Sequence, residues 1–155
     1  MTTTTQLDEW GRRHVPHWGG VFSSNTLPTH PPAQFRCVVN YDPSDKAGSH
    51  WLGIILRANG TGEFFDSYGV EADGDGLFLH SKFHTHFKSY MSKHAAKNWF
   101  FNQWDLQSMH TATCGQYALW FCHAGGGPDS APAYWQWASV DTDRNDEIIH
   151  ELVKV

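Results

Sequence analysis

The stretch Gln107-Ser-Met-His-Thr-Ala-Thr-Cys114-Gly-Gln-Tyr-Ala-Leu-Trp-Phe-Cys122 constrains this chain more than any other. It sets a cysteine behind Thr111 and Thr113 and ahead of an unbroken apolar run. Ser and Thr are favoured helix caps, so a helix is expected to begin at the cysteine. The run is apolar on nearly all sides, so that helix should be buried along its length, with its first turn reaching a cleft. Cys114 then stands at the positive end of the helix dipole, where a thiolate is favoured.

A thiolate nucleophile needs a base, and among eleven histidines His50 is the best placed, because it opens the strong strand pattern Trp51-Leu-Gly-Ile-Ile-Leu-Arg57. After the turn signal Asn59-Gly-Thr-Gly62 a second strand ends at Asp66, whose carboxylate could orient the imidazole. Cys114, His50 and Asp66 are therefore the candidate catalytic residues. Symmetric pairing about Gly60 would set Asp66 opposite Ile54, one or two pleats from His50, so their meeting requires another register or a bulge. Gln107, seven positions before the cysteine, is the candidate oxyanion donor beside the Cys114 backbone N–H.

The order His-Trp, then an acidic residue closing the next strand, then Gln-x6-Cys-Gly resembles the adenovirus protease family, the adenains, and its cellular relatives that process ubiquitin-like modifiers. Residues 18 to 125 take part, with Trp18–Pro28 and Phe35–Tyr41 falling where the family has its entry segment and first core strand. The resemblance implies a papain-like α+β fold and a cysteine endopeptidase that cleaves viral capsid or core precursors after glycine-containing sites. It also implies a virion or infected-cell setting and a role for Trp51 in narrowing the substrate channel to glycine. Modifier proteolysis is the alternative, and an inactive binding module on the same fold a third. Ala96 stands where the family pattern has the cysteine that joins an activating peptide, so a disulfide-linked activator is not expected here; whether another peptide or DNA activates is left open.

At 155 residues the chain has the size of one domain, expected to run 1–155 with a loose terminus over 1–9. No run approaches the roughly 18 apolar residues of a membrane span and no leader is evident, so a soluble intracellular monomer is expected. Cys37 and Cys122 read as core cysteines in a reducing compartment. The net charge of −5 excludes a nucleic-acid binder by overall attraction, but residues 77–104 contain no Asp or Glu. A helix over 80–97 is expected there, with Phe83, Phe87, Tyr90, Met91 and His94 on one side and Lys82, His86, Lys93 and Lys97 on the other. That basic face reads either as a weak nucleic-acid contact or as an ordinary solvated surface. His80, His84 and His86 cluster without the spacing of a metal site, so neither a metal nor another cofactor is expected.

Strands near 34–41, 50–57 and 63–68 should form a meander. An aromatic loop should follow at 132–137, and then a closing helix over 143–153 with Ile148, Ile149 and Leu152 facing inward. Strands in a run with helices on either side make the class α+β.

Overall fold

The hexapeptide Trp51-Leu-Gly-Ile-Ile-Leu56 has no polar face, and the computed structural model makes it the central strand of a five-stranded sheet, buried at every position. The structure describes residues 2–69, 81–102, 105–108, 111–126 and 137–155, with the side chains of 81–85 left aside. In chain order the elements are α1 (Thr4–His14), β1 (Trp18–Phe22), β2 (Phe35–Asn40), β3 (Trp51–Leu56), β4 (Thr61–Phe65), α2 (Ser81–His94), β5 (Asn98–Phe101), α3 (Cys114–Ala124) and α4 (Thr142–Leu152). The class is α+β, as expected. Strands β2, β3 and β4 form the antiparallel meander, and β1 and β5 add parallel edges that make the sheet mixed.

Side chains alternate across β3 and supply two cores. Trp51 and Ile55 join Leu7 of α1, Tyr117, Leu119 and Phe121 of α3 and Ile149 of α4 on one face. Leu52, Ile54 and Leu56 meet Phe87 and Met91 of α2 on the other. With both faces covered, the central strand reads as a continuous apolar run rather than an alternating one.

The hairpin register differs from symmetric pairing about Gly60. Arg57 N donates to Thr61 O at 2.9 Å and Gly60 N to Arg57 O at 3.0 Å, closing a three-residue loop in which Gly60 takes φ +87°. A left-handed glycine there is the usual third residue of such a loop. Pairing is consequently symmetric about Asn59, with Ile54 opposite Phe64 and Gly53 opposite Phe65. One further step would set Asp66 against Leu52, on the same side of the hairpin as His50 and one pleat away.

Three expectations are corrected. Residues 3–9 of the terminus expected to be loose are ordered, because Thr3 and Gln6 form a reciprocal capping box that starts α1, and Leu7 is fully buried. The basic helix ends at His94, so Lys97 lies beyond it, its backbone N bound to Gly60 O. His86 turns its Nε2 to the Ser24 carbonyl at 2.8 Å, while Lys93 and Lys97 are exposed. The cations therefore form no single aligned stripe. The inward face of α4 is Asn145, Asp146 and Ile149, whereas Leu152 is exposed. His80, the side chains of Lys82 and His84, and the aromatic loop through residue 136 lie outside the described residues. No described helix is long and apolar enough to cross a membrane, and no three described His, Cys, Asp or Glu are grouped to hold a metal.

Candidate active site

Cys114 is the first residue of α3 and only 3% exposed. The first N–H groups of a helix have no intrahelical acceptor, so the cysteine sits where backbone donors and the dipole favour negative charge. Its Sγ also receives the Trp51 backbone N–H at 3.5 Å. This contact joins the helix start to the start of β3. Gly115 permits the approach, since a Cβ there would fall 2.9 Å from Leu7 Cδ2 and 3.2 Å from Trp51 Cδ1.

His50 is set by the residues around it. Its carbonyl takes the Tyr41 N–H at 2.8 Å, extending the β2–β3 ladder. The loop before it is folded around buried Asn40, whose Oδ1 accepts from the N–H groups of Asp42 and Ser49 at 2.9 and 3.3 Å. From this position His50 Nε2 meets Asp66 Oδ1 at 2.8 Å. With Nε2 so committed, Nδ1 is the nitrogen left to face Cys114, whose sulfur lies close enough to raise the ring's pKa. Thus the structure brings together all three residues named from the sequence.

Electrostatics reinforce the geometry. Burial opposes a charge on His50, but the Asp66 carboxylate, by charge and hydrogen bond, and the Cys114 sulfur outweigh it and push the imidazolium up to about 10. The histidine is therefore charged at neutral pH. By contrast, burial pushes the Cys122 thiol up to about 12 and raises Cys37 as well, which keeps both protonated. The three cysteines are unpaired and buried, and of them it is Cys114 that adjoins His50.

Asp66 is fully buried and held on several sides. Its Oδ1 also accepts from Tyr68 N at 2.9 Å, while Asn102 brackets its backbone, accepting its N–H at 2.9 Å and donating to its carbonyl at 2.6 Å. Gln107 is nearly fully buried, its amide suspended between Ser67, whose hydroxyl donates to Oε1, and Thr111, whose carbonyl accepts from Nε2 at 3.0 Å. Of those two anchors, one directly follows Asp66 and the other lies three residues before Cys114 in sequence. The Trp51 indole is buried and donates from Nε1 to Thr2 O at 3.1 Å.

Sequence reasoning missed Tyr68 and Asn102. Tyr68 stacks on His50 with centroids 4.9 Å apart and planes 20° from parallel, and burial, then Cys114 and Asp66, push its hydroxyl up. The signal was its place two residues beyond Asp66, opposite His50 once the register is known. Asn102 carried no local signal, because it reaches Asp66 only through the unexpected edge strand β5.

The chain matches no family model and no curated protein. Among solved structures it is similar to the central domain of the uncharacterized Lpg1148 protein from Legionella pneumophila, with a TM-score of 0.54 and 11% identity over 99% of this chain and 94% of that one. It is also similar to the ASFV pS273R protease, with a TM-score of 0.53 and 18% identity over 96% of this chain. The chain spans 66% of that protease's length. At such identities the likeness is one of fold.

Proposed function

We propose that the chain is a cysteine endopeptidase whose nucleophile is Cys114. One observation carries this reading: His50, 2.8 Å from a buried Asp66, lies close enough to a cysteine at a helix start for that sulfur to raise the imidazole's pKa. Similarity of fold to a protease supports it.

The Cys114 thiolate attacks a peptide carbonyl, forming a C–S bond and an oxyanion. As the C–N bond breaks, the His50 imidazolium gives its proton to the leaving amine, and a thioester remains. Neutral His50 then takes a proton from water as its oxygen attacks the thioester carbonyl. The C–S bond breaks, releasing the acid and restoring the thiolate–imidazolium pair. Asp66 fixes the ring with Nε2 toward itself. Gln107 Nε2 and the Cys114 N–H stabilise the oxyanion, each contributing about 2.7 to 4 kcal/mol by analogy with other oxyanion donors. No cofactor enters this chemistry.

The finer reading is that of an adenain-like enzyme: polyprotein substrates of a virion or infected cell, with glycine before the scissile bond and Trp51 walling its channel. The motif Gln107-x6-Cys114-Gly115 with His50-Trp51 supports it. Hydrolysis of glycine-containing capsid-type peptides by the wild type, lost in Cys114→Ala, is the expected result. Cleavage of ubiquitin-like modifier fusions alone would move the substrate class to modifiers, and no cleavage of either would overturn the enzyme reading.

A further inference from the structure

The carboxylate of Asp146, on α4 and 6% exposed, enters no step of this reaction, yet four donors converge on it. Its Oδ2 accepts from the Ser108 N–H at 3.1 Å and the Thr111 hydroxyl at 2.7 Å. Its Oδ1 accepts from the Thr113 hydroxyl at 3.1 Å and the Tyr117 phenol at 2.7 Å. Three of these donors lie on the segment that joins Gln107 to Cys114, and the fourth is one turn into α3. The adjacent Asn145, fully buried, adds a hydrogen bond from Nδ2 to the Leu106 carbonyl at 3.2 Å. Thr113 occupies the N-cap of α3 without capping it through its side chain, because that hydroxyl is committed to Asp146 and Thr111.

The described residues of this segment belong to no helix or strand, so beside the backbone bonds from Gln107 N to Ser67 O at 3.1 Å and from Thr111 N to Ser108 O at 3.4 Å, side chains share in fixing its shape. That shape matters for chemistry. An oxyanion donor works only within a few tenths of an ångström of its target, and a displacement of about 1 Å can cost on the order of 100-fold in rate. Asp146 reaches the Gln107 amide in two links: its bond to the Thr111 hydroxyl, and the Thr111 carbonyl that accepts from Gln107 Nε2 at 3.0 Å.

We propose that Asp146 is a positioning residue of the active site: by gathering Ser108, Thr111, Thr113 and Tyr117 it holds Gln107 and the start of α3 where they converge on the oxyanion. This rests on the hydrolase reading above. A residue that only glued α4 to α3 would alter melting and every reaction of Cys114 alike.

The test compares reactions that do and do not form an oxyanion. In Asp146→Asn, half of the acceptor sites become N–H groups facing donors. For the full chain, kcat and KM are measured on a peptide ending in Gly-Gly-aminomethylcoumarin, beside the alkylation rate of Cys114 by iodoacetamide and hydrogen exchange at the Ser108 amide, all below the variant's melting temperature. The variant should lose about 10- to 100-fold in kcat with KM and alkylation unchanged, and Ser108 exchange should rise about 10- to 100-fold. Thr111→Val should repeat the pattern at smaller size, and it decides the matter if Asp146→Asn fails to fold. An unchanged kcat, or a parallel fall of kcat and alkylation, would overturn the proposal. Alkylation of wild-type Cys114 without hydrolysis would instead fail the hydrolase reading; Ser108 exchange then decides the clamp alone, raised in the variant if Asp146 holds the segment and unchanged if it does not.

Discussion

The contact of buried His50 with Asp66 is the residue-scale feature on which the proposed chemistry turns. His50 is raised from 6.5 to about 10, so its bond to Asp66 adds stability that is fully present below the unfolded value and is lost as pH rises through about 10. Replacing Asp66 by Asn removes the principal cause that raises it and leaves burial, which lowers it, opposed by the Cys114 sulfur alone. In Asp66→Asn the alkaline loss of stability should therefore begin at a lower pH, read from denaturant unfolding at several pH values. Identical profiles for the two proteins would detach Asp66 from His50. The cysteines separate in a complementary way: Cys114→Ala should abolish hydrolysis with little change in melting. Cys122→Ala, at a fully buried position whose Sγ bonds the Cys37 carbonyl, should cost about 1 to 3 kcal/mol and spare the chemistry.

Elements decide whether these residues meet. Gly60 gives the β3–β4 hairpin its three-residue loop, and that loop sets the register that brings Asp66 to His50. Gly60→Ala forces a side chain into φ +87° and 3.1 Å from Lys97 Cβ, so it should destabilise by about 1 kcal/mol or more and lower hydrolysis with it. A melting temperature equal to wild type would remove the loop from the explanation. For α2, Lys97 lies off the helix and His86, though exposed, turns its ring to the Ser24 carbonyl, so the expected cations are out of line. The log–log salt slope of any DNA binding should then be shallower than the about −3 to −4 that four aligned cations would give.

These elements also show what was legible. The helix that begins at Cys114, the meander and the His50–Asp66–Cys114 set follow from long apolar runs broken by a few polar residues whose chemistry is distinctive. The edge strands β1 and β5 were not legible, being short and lacking a period of two, and their pairing depends on neighbours distant in sequence. Asp146 was hidden for a different reason: an acid among Asp143, Arg144 and Glu147 reads as a solvated helix face. Only the tertiary fold reveals that it turns inward to four donors.

At the scale of the whole molecule, α1 closes the side of the core that carries Cys114. Leu7 packs against Gly115 and Thr2 takes the Trp51 indole N–H, so residues expected to be loose help to wall the site. Leu7→Ala should cost about 2 to 5 kcal/mol, measured by urea unfolding, whereas a loose terminus would give no change. The central claim, that this fold assembles a thiolate nucleophile at Cys114 activated by His50, is tested most directly by mass spectrometric mapping after reaction with a glycine-ended peptide bearing an electrophile at the scissile position. A single adduct on Cys114, absent in His50→Ala, is the predicted result; no adduct, or one on Cys37 or Cys122 with Cys114 unmodified, would contradict it.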